Sequence, residues 1–209
     1  MTAARAYDIV LFGATGYTGK LTAEYIAANL PTDLKWAIAG RSAAKLETIA
    51  AECKSINSDR IQPRKQPPIS KLLYLARFYG YDICSQDDTN EIPEIEISNL
   101  NDPDLSALAK KTKLLISTVG PYAIHGEHAF KACAENGTHY LDVTGEVPYV
   151  LDMITKYGKT AKSNGCIMIP QIGLESAPSD LLTWILVDMI KKRFSAPTAD
   201  VVVSLHDIK

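Results

Sequence analysis

Three glycines spaced three residues apart, Gly13, Gly16 and Gly19, follow the apolar run Ile9-Val10-Leu11-Phe12, and a helical pattern starts directly after them. This arrangement suits the binding of a dinucleotide pyrophosphate. Gly13 would permit the tight turn out of the strand, Gly16 would let the backbone approach the phosphates, and Gly19 would let the helix pack close to the strand. The helix N-terminus would offer unpaired N–H groups and a partial positive charge to the anion. The whole stretch Gly13-Ala14-Thr15-Gly16-Tyr17-Thr18-Gly19 is therefore the expected phosphate loop, although its spacing is G-x-x-G-x-x-G rather than G-x-G-x-x-G.

About 20 residues past such a loop, an NAD-preferring site carries an acidic residue for the ribose 2′-hydroxyl. Here the second apolar run ends Ala39-Gly40-Arg41-Ser42, with Lys45 close by. A guanidinium, a hydroxyl and an ammonium suit a 2′-phosphate, so NADP is expected in preference to NAD. The plainer reading makes Arg41 a solvated turn residue and Ser42 a helix cap.

Two further stretches are candidates for the other half of such a ligand. Ser117-Thr118-Val119-Gly120-Pro121-Tyr122 leaves an apolar run through small residues. Thr118, Val119, Gly120 and Pro121 would admit the ribose and nicotinamide. Tyr122 would line the nicotinamide or substrate side, or simply pack in the turn. In His139-Tyr140-Leu141-Asp142-Val143-Thr144-Gly145-Glu146, the polar groups of Asp142, Thr144 and Glu146 would position a polar substrate or move a proton. Capping of the following helix accounts equally well for Thr144 and Glu146. Gly173–Asp180 carries the same two readings. His125, Glu127 and His128 lack a third ligand at useful spacing, so no metal is expected. The Tyr-x-x-x-Lys pair of short-chain dehydrogenases and a G-x-S-x-G nucleophile elbow are both missing from the sequence.

Elements that could position these residues alternate along the chain. Strands are predicted at Asp8–Phe12, Lys35–Ala39, Glu94–Ile97, Leu114–Thr118, His139–Asp142 and Ile167–Pro170. Helices are predicted at Lys20–Asn29, Ala43–Ala51, Asp104–Lys110 (capped by Asp102), His125–Glu135, Pro148–Ser163 and Ser179–Lys192. Strands separated by helices imply parallel pairing through right-handed crossovers. The fold class is α/β, a doubly wound parallel sheet of the Rossmann NAD(P)-binding type with strand order 3-2-1-4-5-6. Residues 1–197 would form this domain. Residues 198–209 would begin a second domain as a strand, Thr198–His206, whose unpaired edge would favour a homodimer. An irregular insertion at about 58–92, containing one amphipathic helix at Lys71–Tyr79, does not fit the pattern; a translated intron between Pro63 and Glu94 would account for it.

The 209 residues carry a net charge of -2, which argues against a nucleic-acid surface. Cys53, Cys84, Cys133 and Cys166 are far apart and read as reduced thiols of a reducing, cytoplasmic compartment. With the first strand starting near Tyr7, no signal or transit peptide is expected. Leu181–Ile190 is the most apolar run. It is too short for a membrane span and reads as a buried helix.

Taken in order, the glycine run, Ala39–Ser42, Ser117–Tyr122, Gly137–Glu146 and Ala177–Asp180 resemble the saccharopine dehydrogenase-like oxidoreductases. The resemblance covers most of the chain outside Asn57–Pro93. It implies an NAD(P)-binding domain followed by a sheet-containing substrate domain in chains about twice this length. It also implies a small-molecule substrate of unknown identity, with relatives in lipid metabolism that include trans-acting enoyl reductases and lipid-droplet proteins. Peripheral lipid association would follow from that branch. Family members often carry Asp where Asn99 stands, and G-F-D-S where Gly173-Leu174-Glu175-Ser176 stands. The resemblance predicts a reductase by descent. With the chain read as truncated before its substrate domain, weak or absent turnover is expected of these 209 residues. The competing expectation is a non-catalytic NADP(H)-binding module, or pseudoenzyme, that acts through a protein partner.

Overall fold

The computed structural model describes residues 4–58 and 92–204. Six strands form one parallel sheet: β1 Tyr7–Phe12, β2 Trp36–Gly40, β3 Glu94–Ile97, β4 Thr112–Ser117, β5 His139–Asp142 and β6 Met168–Ile169, in the order β3-β2-β1-β4-β5-β6. This is the order expected from the sequence. β1 lies between β2 and β4, with Leu11 opposite Ile38 on one side and Ile116 on the other. Chain direction across the sheet therefore reverses between β1 and β4, which is where ligands bind in open α/β sheets.

The apolar residues of β1 alternate between two cores. Val10 and Phe12 join Ala37, Leu115 and Tyr140 beneath helices α3 (Asp102–Lys111), α5 (Glu127–Asn136) and α6 (Val147–Ser163). Leu11 joins Ile38, Leu46 and Cys53 beneath α1 (Tyr17–Asn29) and α2 (Ala43–Ser58). This alternation is the period-two geometry of a strand covered on both faces.

Several boundaries differ from the sequence reading. α1 begins at Tyr17, so the last three residues of the glycine run are already helical. The N-cap of α3 is Asn101, whose side chain accepts the Asp104 N–H; Asp102, expected as the cap, is the first helical residue. A four-residue helix, α4 (Tyr122–His125), lies where a loop was expected. The last helix, α7 (Ala177–Phe194), forms at the expected place but is not buried: none of its residues is buried, and Trp184 is 67% exposed. An all-round apolar helix needs cover on several sides, and the described residues do not supply it. Residues 198–204 form no strand, where one was expected from Thr198. The expected insertion, its helix Lys71–Tyr79 and residues 205–209 fall outside the described residues, apart from Ser58, which ends α2, and Ile92.

Candidate cofactor site

The turn after β1 is built from backbone. Gly13 has φ +90°, a conformation that a side chain would strain. A Cβ there would also lie 2.6 Å from Val119 Cγ2 and 2.9 Å from Thr118 Oγ1. The Gly13 N–H donates to Ala39 O at 2.9 Å, and the Gly16 N–H donates to Gly13 O at 3.0 Å. On the other side, the Thr118 N–H and hydroxyl both donate to Phe12 O, at 2.9 and 3.1 Å. The exits of β1, β2 and β4 thus meet at one point, and they carry the three cofactor stretches expected from the sequence.

Ala14 is buried, while Thr15, Gly16, Tyr17 and Thr18 are exposed along the upper edge of this turn. α1 has Gly16 at its N-cap, no side-chain cap and no acidic residue in its first turn. A Cβ on Gly16 would meet only Gly13 O, at 3.5 Å. The helix N-terminus is therefore open to an approaching anion, and these residues fit a pyrophosphate. Arg41 and Lys45 are exposed just past β2 and make no hydrogen bond or ion pair among the described residues. Ser42 immediately precedes α2. Asn99, just past β3, is engaged: its backbone N–H and side-chain amide both donate to Asp104 Oδ2, at 3.0 and 2.8 Å.

The four substrate-side candidates sit together but serve the protein's own backbone. Tyr122 is buried, and its hydroxyl donates to Ser117 O at 2.9 Å. Burial pushes its phenol up to about 12. Asp142 has no exposed surface. Its Oδ1 accepts the N–H groups of Thr144 (3.0 Å) and Gln171 (2.9 Å), and its Oδ2 accepts the Tyr140 hydroxyl (2.9 Å). Burial holds its carboxyl above the usual carboxylate range. Thr144 Oγ1 accepts the Glu146 N–H at 3.0 Å. The Glu146 carboxylate accepts the Tyr122 and Ala123 N–H groups, so it caps α4 and not the following helix α6, which gets no side-chain cap from it. Gln171, in the left-handed region at φ 60°, was not legible beforehand, because a non-glycine residue gives no local signal for that conformation. His128 and Glu127 point to different partners, Asp102 for the first and Tyr157 with Lys156 for the second. A cavity of about 760 Å³ is lined by Val187, Lys191 and residues 195–201 at the end of α7, and no residue of the glycine turn lines it.

A parallel sheet with a glycine turn at its switch point defines a dinucleotide-binding α/β domain. The family described as the saccharopine dehydrogenase NADP-binding domain matches residues 82–169. Over most of its length the chain is similar to the saccharopine dehydrogenase-like oxidoreductases. It is 34% identical over 185 residues to a mouse saccharopine dehydrogenase-like oxidoreductase, covering 86% of this chain and 37% of the relative. It is 29% identical over 189 residues to a lipid droplet localized protein of Caenorhabditis elegans, covering 90% and 37%. It is 33% identical over 177 residues to a trans-acting enoyl reductase of Mycobacterium leprae, covering 85% and 34%. The solved structure of apo saccharopine dehydrogenase (L-Glu forming) from Saccharomyces cerevisiae shares the fold, with a TM-score of 0.58 at 15% identity, covering 89% of this chain and 32% of that one. The chain thus spans little more than a third of the length of these curated relatives. No helix among the described residues is long and apolar enough to cross a membrane.

Proposed function

We propose that this chain binds NADP(H) along the carboxyl edge of the sheet, as the cofactor-holding part of a reductase. The observation that carries the reading is the open N-terminus of α1 at Gly16, with Arg41 and Lys45, which have no partner among the described residues, just past the neighbouring strand β2. The α1 N–H groups would take the pyrophosphate, and Arg41 and Lys45, with Ser42, would take a 2′-phosphate. Thr118–Pro121 would flank the nicotinamide, which supplies a hydride when bound. The names of the relatives support an enoyl group as the acceptor and association with a lipid droplet.

Thermal unfolding with NADPH, with NADH and with neither tests the reading. A ligand at 100 times its Kd stabilises the folded chain by about 2.7 kcal/mol, so NADPH should raise the midpoint clearly and NADH less. No shift with either overturns it.

A second reading, a non-catalytic NADP(H)-binding module, is favoured by one observation: the polar atoms of Tyr122, Asp142, Thr144 and Glu146 are committed to the fold. Hydride transfer also needs water excluded and the acceptor held in place. The second reading predicts NADPH binding without turnover. NADPH oxidation at about 1 s⁻¹ or faster with an enoyl thioester would overturn it.

A further inference from the structure

The short helix α4 follows directly on the loop Thr118–Pro121, yet it has little means of holding its own shape. It has four residues, far fewer than a helix needs to persist alone. Its N-cap is Pro121, which offers no side-chain acceptor. The orphan N–H groups of its first turn are met from 24 residues further along the chain: Glu146 Oε1 accepts the Tyr122 N–H at 2.7 Å, and Oε2 accepts the Ala123 N–H at 2.8 Å. Glu146 is itself held, because its N–H donates to Thr144 Oγ1, and the Thr144 N–H donates to the buried Asp142. Asp142 in turn binds the Gln171 N–H at the β6 exit. One continuous series of hydrogen bonds therefore runs from the β6 exit to the β4 exit.

We infer that Glu146 is a cofactor-positioning residue, whose carboxylate fixes α4 and so sets where the Thr118–Pro121 loop stands against the nicotinamide half of NADP(H). The inference rests on the proposed NADP(H) binding. Both carboxylate oxygens are engaged with backbone N–H groups, so Glu146 acts through the loop and not on the ligand. The adenosine half, held at α1 and Arg41, lies beyond the reach of this device.

The test compares two probes on the 209-residue chain, NADPH and adenosine 2′,5′-bisphosphate, titrated against wild type and Glu146→Gln. Glutamine keeps the shape but turns an N–H₂ toward a backbone N–H. The variant is expected to lose about tenfold in NADPH affinity and to keep its bisphosphate affinity within about twofold. A general loosening of the fold would weaken both probes together, and that result, or unchanged NADPH affinity, overturns the inference. If wild type binds neither probe, the NADP(H) reading itself fails and takes the inference with it. Wild type binding both with Glu146→Gln indistinguishable sinks the inference alone. Hydrogen exchange on wild type covers a variant that does not fold. Slow exchange at both the Tyr122 and Ala123 amides supports the cap, and exchange at the free-chain rate overturns it.

Discussion

A Cβ placed on Gly19 would lie 2.2 Å from the carbonyl oxygen of Gly13 and 2.8 Å from Ala14 Cα. Both obstacles are backbone, so neither can rotate aside. Gly19→Ala must therefore push α1 off the end of β1, at a cost of about 3 kcal/mol or more, the upper end of overpacking. Gly16→Ala should behave in the opposite way. Gly16 has φ -81° and ψ 167°, which alanine adopts freely, and its Cβ would make only an ordinary contact of 3.5 Å with Gly13 O. That variant is expected to lose under about 1 kcal/mol while NADPH affinity falls at least about tenfold, because the methyl group stands where the backbone should meet phosphate. Denaturant unfolding and NADPH titration on both variants check the contrast. A Gly16→Ala chain that binds NADPH normally would move the phosphate site elsewhere.

Arg41 and Lys45 are exposed and engage nothing else among the described residues, so their removal should not disturb the fold. Arg41→Ala is expected to weaken NADPH by about tenfold or more, the value of a charge-assisted hydrogen bond. NADH should change by no more than about twofold, since it lacks the 2′-phosphate. The NADPH loss should shrink as salt is raised, because the site is open to screening. Parallel titrations of the two cofactors at low and high salt measure this. An unchanged NADPH-to-NADH ratio would show that the guanidinium does not read the 2′-phosphate.

The sheet and the glycine turn were legible in the sequence because both rest on local signals. Apolar runs such as Ile9–Phe12, punctuated by glycine and followed by helical spacing, identify a strand, a turn and a helix within about a dozen residues. The right-handed crossover rule then gives the order. The roles of Asp142 and Glu146 were not legible, because their partners are distant. Glu146 meets Tyr122 across 24 positions, and Asp142 meets Gln171 across 29. A polar residue at a strand exit looks the same in sequence whether it faces a ligand or a backbone N–H. α7 misled for a related reason: its composition reports that the helix requires cover, not where that cover comes from.

Arg5 offers a stability test far from the cofactor edge. Its guanidinium donates to Ala109 O, Thr112 O, Thr138 Oγ1, Asn136 O and Gly137 O. It thereby gathers carbonyls at the C-terminal ends of α3 and α5, where the helix dipoles favour a cation. Arg5→Ala would leave several of these acceptors short of a donor, and a loss of about 2–4 kcal/mol is expected. Arg5→Lys should recover little, because an ammonium cannot span the same fork of acceptors. Urea unfolding of the three chains measures the order. A lysine variant as stable as wild type would show that charge alone suffices.

Asp142 gives a pH test with a definite sign. Its carboxyl is raised in the folded chain by burial, while in the unfolded chain it returns to the ordinary range near 3.9. Between those values the folded state binds more protons than the unfolded state, so stability falls as pH rises through that interval. Its contribution is therefore fully present below the ordinary carboxylate range and lost as pH rises through the raised value. Asp142→Asn removes the titration with little change in shape. The amide oxygen still accepts the Thr144 and Gln171 N–H groups, and the amide nitrogen faces the Tyr140 hydroxyl, which can accept. The stability of wild type relative to Asp142→Asn should therefore improve as pH is lowered from 7 toward 4. Unfolding free energies for both chains across that range give the difference directly. A difference that shrinks on acidification would mean that the Thr144, Gln171 and Tyr140 donors stabilise the carboxylate by more than its burial costs, leaving Asp142 a stabilising anion.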